Sequence, residues 1–313
     1  MLGYILRRLA ATVPVMLIVA VFVFLMLRLT PGDPAAVIAG DNANSEQVAA
    51  IRNSLGLDQP IFTQFFIWFG SILRGDFGES FFFKKTVAEL IASRLEPTLA
   101  LSLATITIAV CVAVPLGVLA AWKAHTWVDR AVMVLAVVGF SVPVFVLGYF
   151  LIYGFSLGLH WFPVQGYRSP FSEPALFVSH ITLPTIALSA IYIALIARIT
   201  RASVLEVLEE DYIRTARAKG QAEIKVLLRH ALGNAAVPIV TVIGLGVAFL
   251  IGGVVVTESV FNIPGLGRLI VDAILKRDYP IIQGLILFYS FLYIMLNLII
   301  DIAYTLLDPR IRY

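Results

Sequence analysis

Six long apolar runs constrain this chain more than any other feature of its sequence. Each run is about 20 residues or longer, the length that an α-helix needs to cross a hydrocarbon core about 30 Å thick. The runs lack the alternation of a membrane strand, so helices satisfy their backbone hydrogen bonds best inside a bilayer. They cover approximately residues 9–29, 98–122, 131–157, 178–197, 235–256 and 281–306.

The composition leads to the same fold class. Of the 313 residues, 60% are hydrophobic and 14% are charged, and the mean hydropathy is +0.93. Such a chain is too apolar for a soluble globular protein and too long for a single membrane anchor. We therefore predict an all-α polytopic membrane protein with about six transmembrane helices.

The basic residues predict the orientation of these spans. Arg7 and Arg8 precede the first run, as in a secretory signal, but the run exceeds the apolar stretch of a signal. We therefore expect an uncleaved first span. An even number of spans places both termini on one side, and the basic residues of the short segments there predict that this side is cytoplasmic. Those segments are 1–8, 123–130, 198–233 and 307–313.

Residues 30–97 separate the first two runs and predict an insertion of short amphipathic helices on the outer side of the membrane. Ser45 is expected to cap one helix. Asp58 and Pro60 are expected to precede a second, aromatic-rich helix that lies along the membrane interface. Thr86 is expected to cap a third, which extends over "VAELIASRL". These helices either only pack over the spans or dock an external partner, and both interpretations stay open.

Motifs of several enzyme classes are missing from the sequence. None of the six lysines follows a glycine, which excludes the phosphate-binding pattern G-x-x-x-x-G-K-[ST]. The four histidines are scattered without a metal-binding spacing, and no G-x-S-x-G elbow is present. We therefore expect no ATP hydrolysis and no metal or cofactor in this chain. An enzyme would require a dispersed catalytic triad.

Two further kinds of interaction are excluded by composition. Cys111 is the only cysteine, so the chain cannot form an internal disulfide. The net charge of +3 reflects the membrane orientation, and the sequence contains no aromatic and basic platform of the kind that binds single strands. We expect no nucleic-acid partner.

The predicted spans carry few ionisable residues. The exceptions lie near the span ends, at Arg28, His180, Glu258 and Asp301. Ion-coupled carriers usually bind the coupling charge within the membrane, so the energy for transport is expected to enter from outside the spans. A stand-alone secondary carrier is the alternative. Asp301 either pairs with a neighbouring basic residue or acts directly in transport.

One long charged segment, residues 198–233, interrupts the apolar chain. Its pattern predicts a helix over residues 203–219, a turn at Gly220 and a second helix over residues 221–232. The predicted apolar faces consist of Leu205, Leu208, Tyr212 and Thr215 or Ala216 in the first helix, and Ile224, Leu227, Leu228 and Ala231 in the second. Few large side chains surround the turn, so a partner surface can approach its backbone. The alternative is a solvated loop.

At this segment the sequence resembles a known family. "EEDYIRTARAKGQAEIKVLLRHALGNAAVP" is similar to the coupling segment of bacterial ABC importer permeases of the peptide and nickel branch, which includes dipeptide, oligopeptide and glutathione transporters. The resemblance continues in the same order along the chain, in "LTPGDPA", "LGLDQP", "GDFGES", "RLEPTLALSLAT", "FNIPGLGRLIVDAI", "RDYPIIQG" and "DPRIRY". Against the general motif of the wider importer family, only Ala216, Gly220 and Leu232 match.

The resemblance implies a fold, partners and site residues. The fold would be that of a type I ABC importer permease, with residues 1–29 as the first span, 30–97 as the periplasmic insertion and 98–313 as the permease core. Contacts with the ATPase are implied for Glu210, Asp211, Tyr212, Arg214, Thr215, Ala216, Arg217, Ala218, Lys219 and Gly220. Glu258, Asn262 and Asp301 are candidates for the solute path or gate, and Glu258 is also a candidate for a helix cap or an ion pair.

The implied function is import of small peptides across the bacterial inner membrane. The implied partners are a second homologous permease, two ATP-binding cassette subunits, a periplasmic or lipid-anchored substrate-binding protein and membrane lipids. ATP and Mg would bind the ATPase subunits. The cargo would be a dipeptide, an oligopeptide or a glutathione-like peptide, with a nickel or other metal chelate as the alternative.

Overall fold

The computed structural model describes residues 2–29, 34–39, 44–54 and 56–307 of the chain. These residues are almost wholly helical and contain no β-strand, only one isolated bridge between Glu79 and Thr86. In chain order the helices are α1 (Leu2–Leu29), α2 (Pro34–Ala39), α3 (Ser45–Ser54), α4 (Ile61–Leu73), α5 (Val87–Trp122), α6 (Trp127–Ser141), α7 (Val144–Leu151), α8 (Pro174–Leu208), α9 (Asp211–Ala218), α10 (Glu223–Lys225), α11 (Leu232–Asn234), α12 (Ala236–Val260), α13 (Leu266–Lys276) and α14 (Tyr279–Leu307). Two π-helical segments, Ile152–Gly158 and Val226–Ala231, continue α7 and α10.

The predicted all-α membrane fold is confirmed. Among the described residues, three helices are long and apolar enough to cross a membrane, namely Val87–Trp122, Pro174–Leu208 and Tyr279–Ile302. Two bent helix pairs raise the number to five if each pair is one span. The first apolar run is helical throughout, with a shorter apolar stretch at Ala10–Met26. The count of six spans stays a prediction.

The apolar run over residues 131–157, predicted as one span, is helical but sharply bent. The chain bends by 100° between Trp127–Ser141 and Val144–Gly158. The break follows from Pro143, which cannot donate a backbone hydrogen bond and which disfavours helical geometry at the residue before it. Val142 accordingly adopts extended backbone angles, with φ −85° and ψ 121°.

The helices form two compact units, Met1–Glu96 with Arg268–Met295, and Pro97–Gly267 with Leu296–Tyr313. Residues 268–295, assigned to the permease core on sequence, thus pack in the first unit.

Within the first unit, α1 and α4 are joined by a polar contact in apolar surroundings. The Arg28 guanidinium lies 3.5 Å from the centre of the Phe24 ring, and its Nη2 donates to Gln64 Oε1 at 2.6 Å. The Gln64 amide in turn donates to the Leu57 carbonyl oxygen at 3.1 Å. This chain of hydrogen bonds links α4 and the turn before it to α1.

The helix starts of the first unit differ in part from expectation. Asn44, not Ser45, caps α3, because its Oδ1 accepts a hydrogen bond from Gln47 N at 2.8 Å. Thr86 is confirmed as a cap, with Oγ1 accepting from Glu89 N at 3.3 Å. The helix that it caps does not end after "VAELIASRL" but continues past Pro97 as α5. In an apolar helix, neighbouring groups can satisfy the backbone carbonyl that a proline leaves without its hydrogen bond.

In the second unit, α8 is the central helix. Its buried side chains extend over most of its length, from Ile181 to Leu208. Helices α5 and α12 contribute further buried side chains of the main core, among them Leu101, Leu250 and Val254, and partly buried side chains of α7 pack against it. Small residues let the helices approach closely. A Cβ atom on Gly117 of α5 would lie 2.7 Å from the carbonyl oxygen of Ala197 on α8.

We expect Gly117→Ala to lower the free energy of unfolding of the second unit by about 1–3 kcal/mol, because the added methyl group meets backbone that cannot rotate away. The matched control is Gly252→Ala, since a Cβ atom at Gly252 has no neighbour within 4 Å. Thermal unfolding of both purified variants in detergent measures the difference. Equal melting temperatures would contradict the close α5–α8 packing.

Candidate functional site

The charged segment, residues 198–233, begins within the last turns of α8 and continues beyond its end. The prediction of one helix over residues 203–219 was wrong, because α8 stops at Leu208 and α9 begins at Asp211. Glu210 has extended angles, φ −69° and ψ 147°, and its carbonyl oxygen accepts hydrogen bonds from the first turn of α9. Asp211 carries a negative charge in that turn, where it interacts favourably with the helix dipole.

The apolar face of α9 packs on a separate hydrophobic cluster at the end of α8. Ile213 is 0% exposed and Ala216 is buried, and both join Leu208 and Leu227 in this cluster. Sequence reasoning missed Ile213 and placed Tyr212 on the apolar face, where the structure shows it exposed. The break before Asp211 shifts the helical phase, and the uninterrupted pattern gave no signal of that shift.

The predicted turn at Gly220 is confirmed. Gly220 has φ +74°, a left-handed value that glycine adopts without a steric penalty. Its N–H donates to Arg217 O at 2.9 Å, and Gln221 N donates to Ala216 O at 3.3 Å, which closes the end of α9. A Cβ atom on Gly220 would meet no atom within 4 Å. The backbone of the turn is therefore open to a partner.

Side chains hold the two sides of this turn together. Arg217 Nη2 donates to Glu223 Oε1 at 2.7 Å, and Nε donates to Oε2 at 3.2 Å. This fork geometry adds directional rigidity to charge attraction. His230 Nε2 and Gln221 Oε1 are 2.9 Å apart. The hydrogen bond with Glu223 raises the pKa of Arg217.

The second helix of the segment differs in phase from expectation. It starts at Glu223 and passes through the π-helical segment Val226–Ala231, whose wider turns rotate the following side chains. Leu227 is buried, as predicted for the apolar side, but Ile224 is 63% and Leu228 is 54% exposed. Two large apolar side chains thus lie on the surface of a charged segment.

Nine of the ten residues predicted to contact an ATPase are exposed, and Ala216 is the exception. Tyr212 is one of these exposed residues. Partial burial, and to a smaller extent the charge of Glu210, raises the pKa of its hydroxyl. A hydrogen bond with Asn234 lowers this pKa in part. We name the exposed part of residues 209–228 the coupling surface. It combines an open turn, charges of both signs and unpartnered apolar groups.

The predicted path residues lie elsewhere in the second unit. Glu258 is 0% exposed, and its Oε1 accepts a hydrogen bond from Thr98 Oγ1 at 2.6 Å. The Thr98 hydroxyl itself accepts from Leu266 N at 2.8 Å, and a Cβ atom on Gly265 would overlap the Glu258 carboxylate. In this structure Glu258 therefore fixes the turn after α12.

The other two path candidates differ in their position relative to Glu258. Asn262 follows on the same turn with φ +53°, and Asp301 is half-buried on α14. A role of either residue in the solute path stays a prediction. Among the described residues, no group of three or more His, Cys, Asp or Glu side chains is arranged to hold a metal ion.

Comparisons with known proteins place the chain in a family. Residues 113–313 match the family described as "Binding-protein-dependent transport system inner membrane component", and residues 1–102 match the N-terminal region of such membrane components. The chain belongs to this family. It is a membrane permease subunit of a binding-protein-dependent transport system, and not a catalytic one.

Individual relatives cover the whole chain. A probable peptide ABC transporter permease, y4tP of Sinorhizobium fredii, is 56% identical over 99% of both chains. The glutathione transport system permease GsiC of Salmonella typhi is 46% identical over 100% of both chains. An inward-facing structure of the MetNI methionine ABC transporter matches with a TM-score of 0.59 at 16% identity, covering 70% of this chain and 96% of that chain. The predicted importer-permease fold is thereby confirmed, and the secondary carrier is not supported.

We expect Ile213→Ala to weaken the docking of α9 by about 2–5 kcal/mol, because it leaves a cavity in the cluster beneath the coupling surface. Ile224→Ala removes the same atoms from an exposed position and should leave stability nearly unchanged. Limited proteolysis of both variants in membranes measures the effect. Equal cleavage rates within residues 209–223 would contradict the burial of Ile213.

Proposed function

We propose that this permease is driven by ATP hydrolysis on separate subunits, and that the coupling surface is where their motion enters. The observation that supports this is the contrast, within one short segment, between side chains that are buried against α8 and apolar side chains that are exposed. Ile213 and Ala216 attach α9 firmly to α8, while Tyr212, Ile224 and Leu228 remain exposed beside the open turn at Gly220. Exposed apolar groups rimmed by charges are typical of a protein interface.

The proposed assembly contains this chain, a second homologous permease and two ATP-binding cassette subunits, which bind ATP and Mg. When the ATPases close, each would push on a coupling surface as a rigid body. The rigid turn between α9 and α10 suits this role, because the Arg217–Glu223 pair resists its deformation. The spans would then alternate between outward and inward access to the cargo.

The proposed cargo is a small peptide, either a dipeptide, an oligopeptide or a glutathione-like peptide. The names of y4tP and GsiC refer to peptide and glutathione transport, and both relatives cover nearly the full chain. A periplasmic or lipid-anchored binding protein would deliver the peptide. Glu258, Asn262 and Asp301 remain our candidates for the path or gate.

The proposed location is the bacterial inner membrane, with both termini in the cytoplasm. Residues 1–29 would form the first span, 30–97 the periplasmic segment and 98–313 the permease core, with the coupling segment at 198–233. Exposed apolar side chains such as Phe66 on α4 and Leu135 on α6 would contact membrane lipids. The basic residues beside the spans support this orientation.

We expect Gly220→Arg to reduce peptide uptake to less than about a tenth of the wild-type rate, a loss of at least about 1.4 kcal/mol in effective coupling. The large side chain would occupy the space into which the partner fits, while insertion into the membrane stays normal. Uptake of a labelled dipeptide by cells, normalised to the amount of permease in membranes, measures the effect.

Two controls separate this effect from backbone strain. Gly220→Asn keeps a residue that tolerates left-handed angles and should retain most of the uptake. Gly75→Arg places the same large side chain at another left-handed glycine, with φ +83° and no neighbour within 4 Å, and should also retain uptake. Normal uptake by Gly220→Arg would exclude the turn from coupling.

Purification of the tagged permease from native membranes tests the proposed assembly. We expect two ATPase subunits and a second permease in a fixed ratio, with dipeptides or glutathione stimulating ATP hydrolysis only when the binding protein is added. A permease that purifies alone and still moves peptide down an ion gradient would contradict the proposed function.

A further inference from the structure

We propose that Asp129 and Arg201 form the joint that carries movement of the coupling surface to the start of α6, and that both act as positioning residues in transport. The proposal rests on the proposed function, because it requires that motion enter at the coupling surface. Arg201 lies within the charged segment 198–233, but both residues lie outside residues 210–220, for which the resemblance implies contact with the ATPase.

The joint is a partly buried, bidentate ion pair between two helices. Arg201 Nε donates to Asp129 Oδ1 at 2.5 Å, and Arg201 Nη2 donates to Asp129 Oδ2 at 2.7 Å. Asp129 is 4% exposed. Two parallel hydrogen bonds between planar groups fix the angle as well as the distance between their partners. When one helix moves, such a contact moves the other with it, whereas apolar side chains can slide past one another.

Asp129 is itself held by the turn between α5 and α6. Its Oδ2 also accepts a hydrogen bond from His125 N at 3.0 Å, and His125 has φ +66°. Thr126 Oγ1 donates to Lys123 O at 2.6 Å within the same turn. The carboxylate therefore links α8 to the α5–α6 turn as well as to α6.

A second close contact involves Thr200, the residue of α8 just before Arg201. On α5, a Cβ atom on Gly117 would lie 2.6 Å from Thr200 Cβ, so the two helices touch with no space between them. Arg201 and Thr200 are thus held from two sides, by α6 and by α5. We call this pair of contacts, made by Gly117 of α5 and Asp129 of α6 with adjacent residues of α8, the socket.

The socket lies close to the coupling surface along a rigid helix. From Arg201, α8 continues for about two turns to Leu208, where Leu208 joins Ile213 of α9 in one hydrophobic cluster. Val118 and Ala121 of α5 belong to the same cluster. A displacement of α9 is therefore passed to α8 through packed side chains of this cluster. From Val204 to Arg201 it then follows the continuous helix α8.

The matched variants are Asp129→Asn, Arg201→Lys and Arg198→Gln. Asparagine keeps an acceptor for the His125 N–H but loses the charge, and lysine keeps the charge but cannot form the fork. Arg198 is exposed and lies one turn earlier on α8, so its variant controls for the loss of a cationic side chain. All variants are studied in the full complex, reconstituted with its ATPases and binding protein.

The decisive measurement is the amount of dipeptide transported for each ATP hydrolysed, normalised to assembled complex. We expect Asp129→Asn to lower this ratio by about 5–150-fold, the usual range of coupling between distant sites, while ATP hydrolysis by the assembled complex changes little. Arg201→Lys should lie between Asp129→Asn and wild type, and Arg198→Gln should match wild type.

A merely structural ion pair gives a different result. Uptake would then fall only as the yield of assembled complex falls, and the transport-to-ATP ratio of every variant would equal that of wild type. That outcome overturns the proposal. Failure of the proposed function is distinguishable, because the wild-type complex would then show no ATP-dependent uptake.

Discussion

The continuity of α8 is the constraint on which the larger unit depends. One helix runs from the apolar core, where it packs on α5, α7 and α12, to the cluster that supports the coupling surface. Because helical hydrogen bonds are satisfied within the segment, such a helix can leave the hydrocarbon region without exposing its backbone. Its two ends are therefore mechanically connected, and the core and the coupling surface respond to the same movement.

The buried polar groups of this unit fix the positions of its helices and turns. Glu258 closes a turn through Thr98, and Asp129 joins α8 to the α5–α6 turn through Arg201. A buried carboxylate contributes little net stability even when it is paired, but removing its partner is costly. Such pairs specify where helices meet. They fit a protein that changes shape under external force more than one that binds a coupling ion within its spans.

The errors in the predicted apolar faces of the charged segment share one physical cause. The break before Asp211 and the π-helical segment Val226–Ala231 each rotate the side chains that follow. Periodicity assumes one continuous helix, so Ile213 was missed, and Ile224 and Leu228 were placed on a buried face. The turn at Gly220 was predicted correctly, because only the local requirement for left-handed angles decides it.

By itself, the sequence determined the all-α membrane fold, the family and the position of the exposed segment. Length, hydropathy and turn chemistry are local properties, and helices that satisfy their own hydrogen bonds can be recognised without their neighbours. Only the tertiary structure decided which charges meet and which apolar groups remain exposed. The Asp129–Arg201 pair joins residues on different helices, and the exposure of Ile224 depends on how the segment packs against α8. Such contacts depend on helix phase and packing, which no local pattern contains.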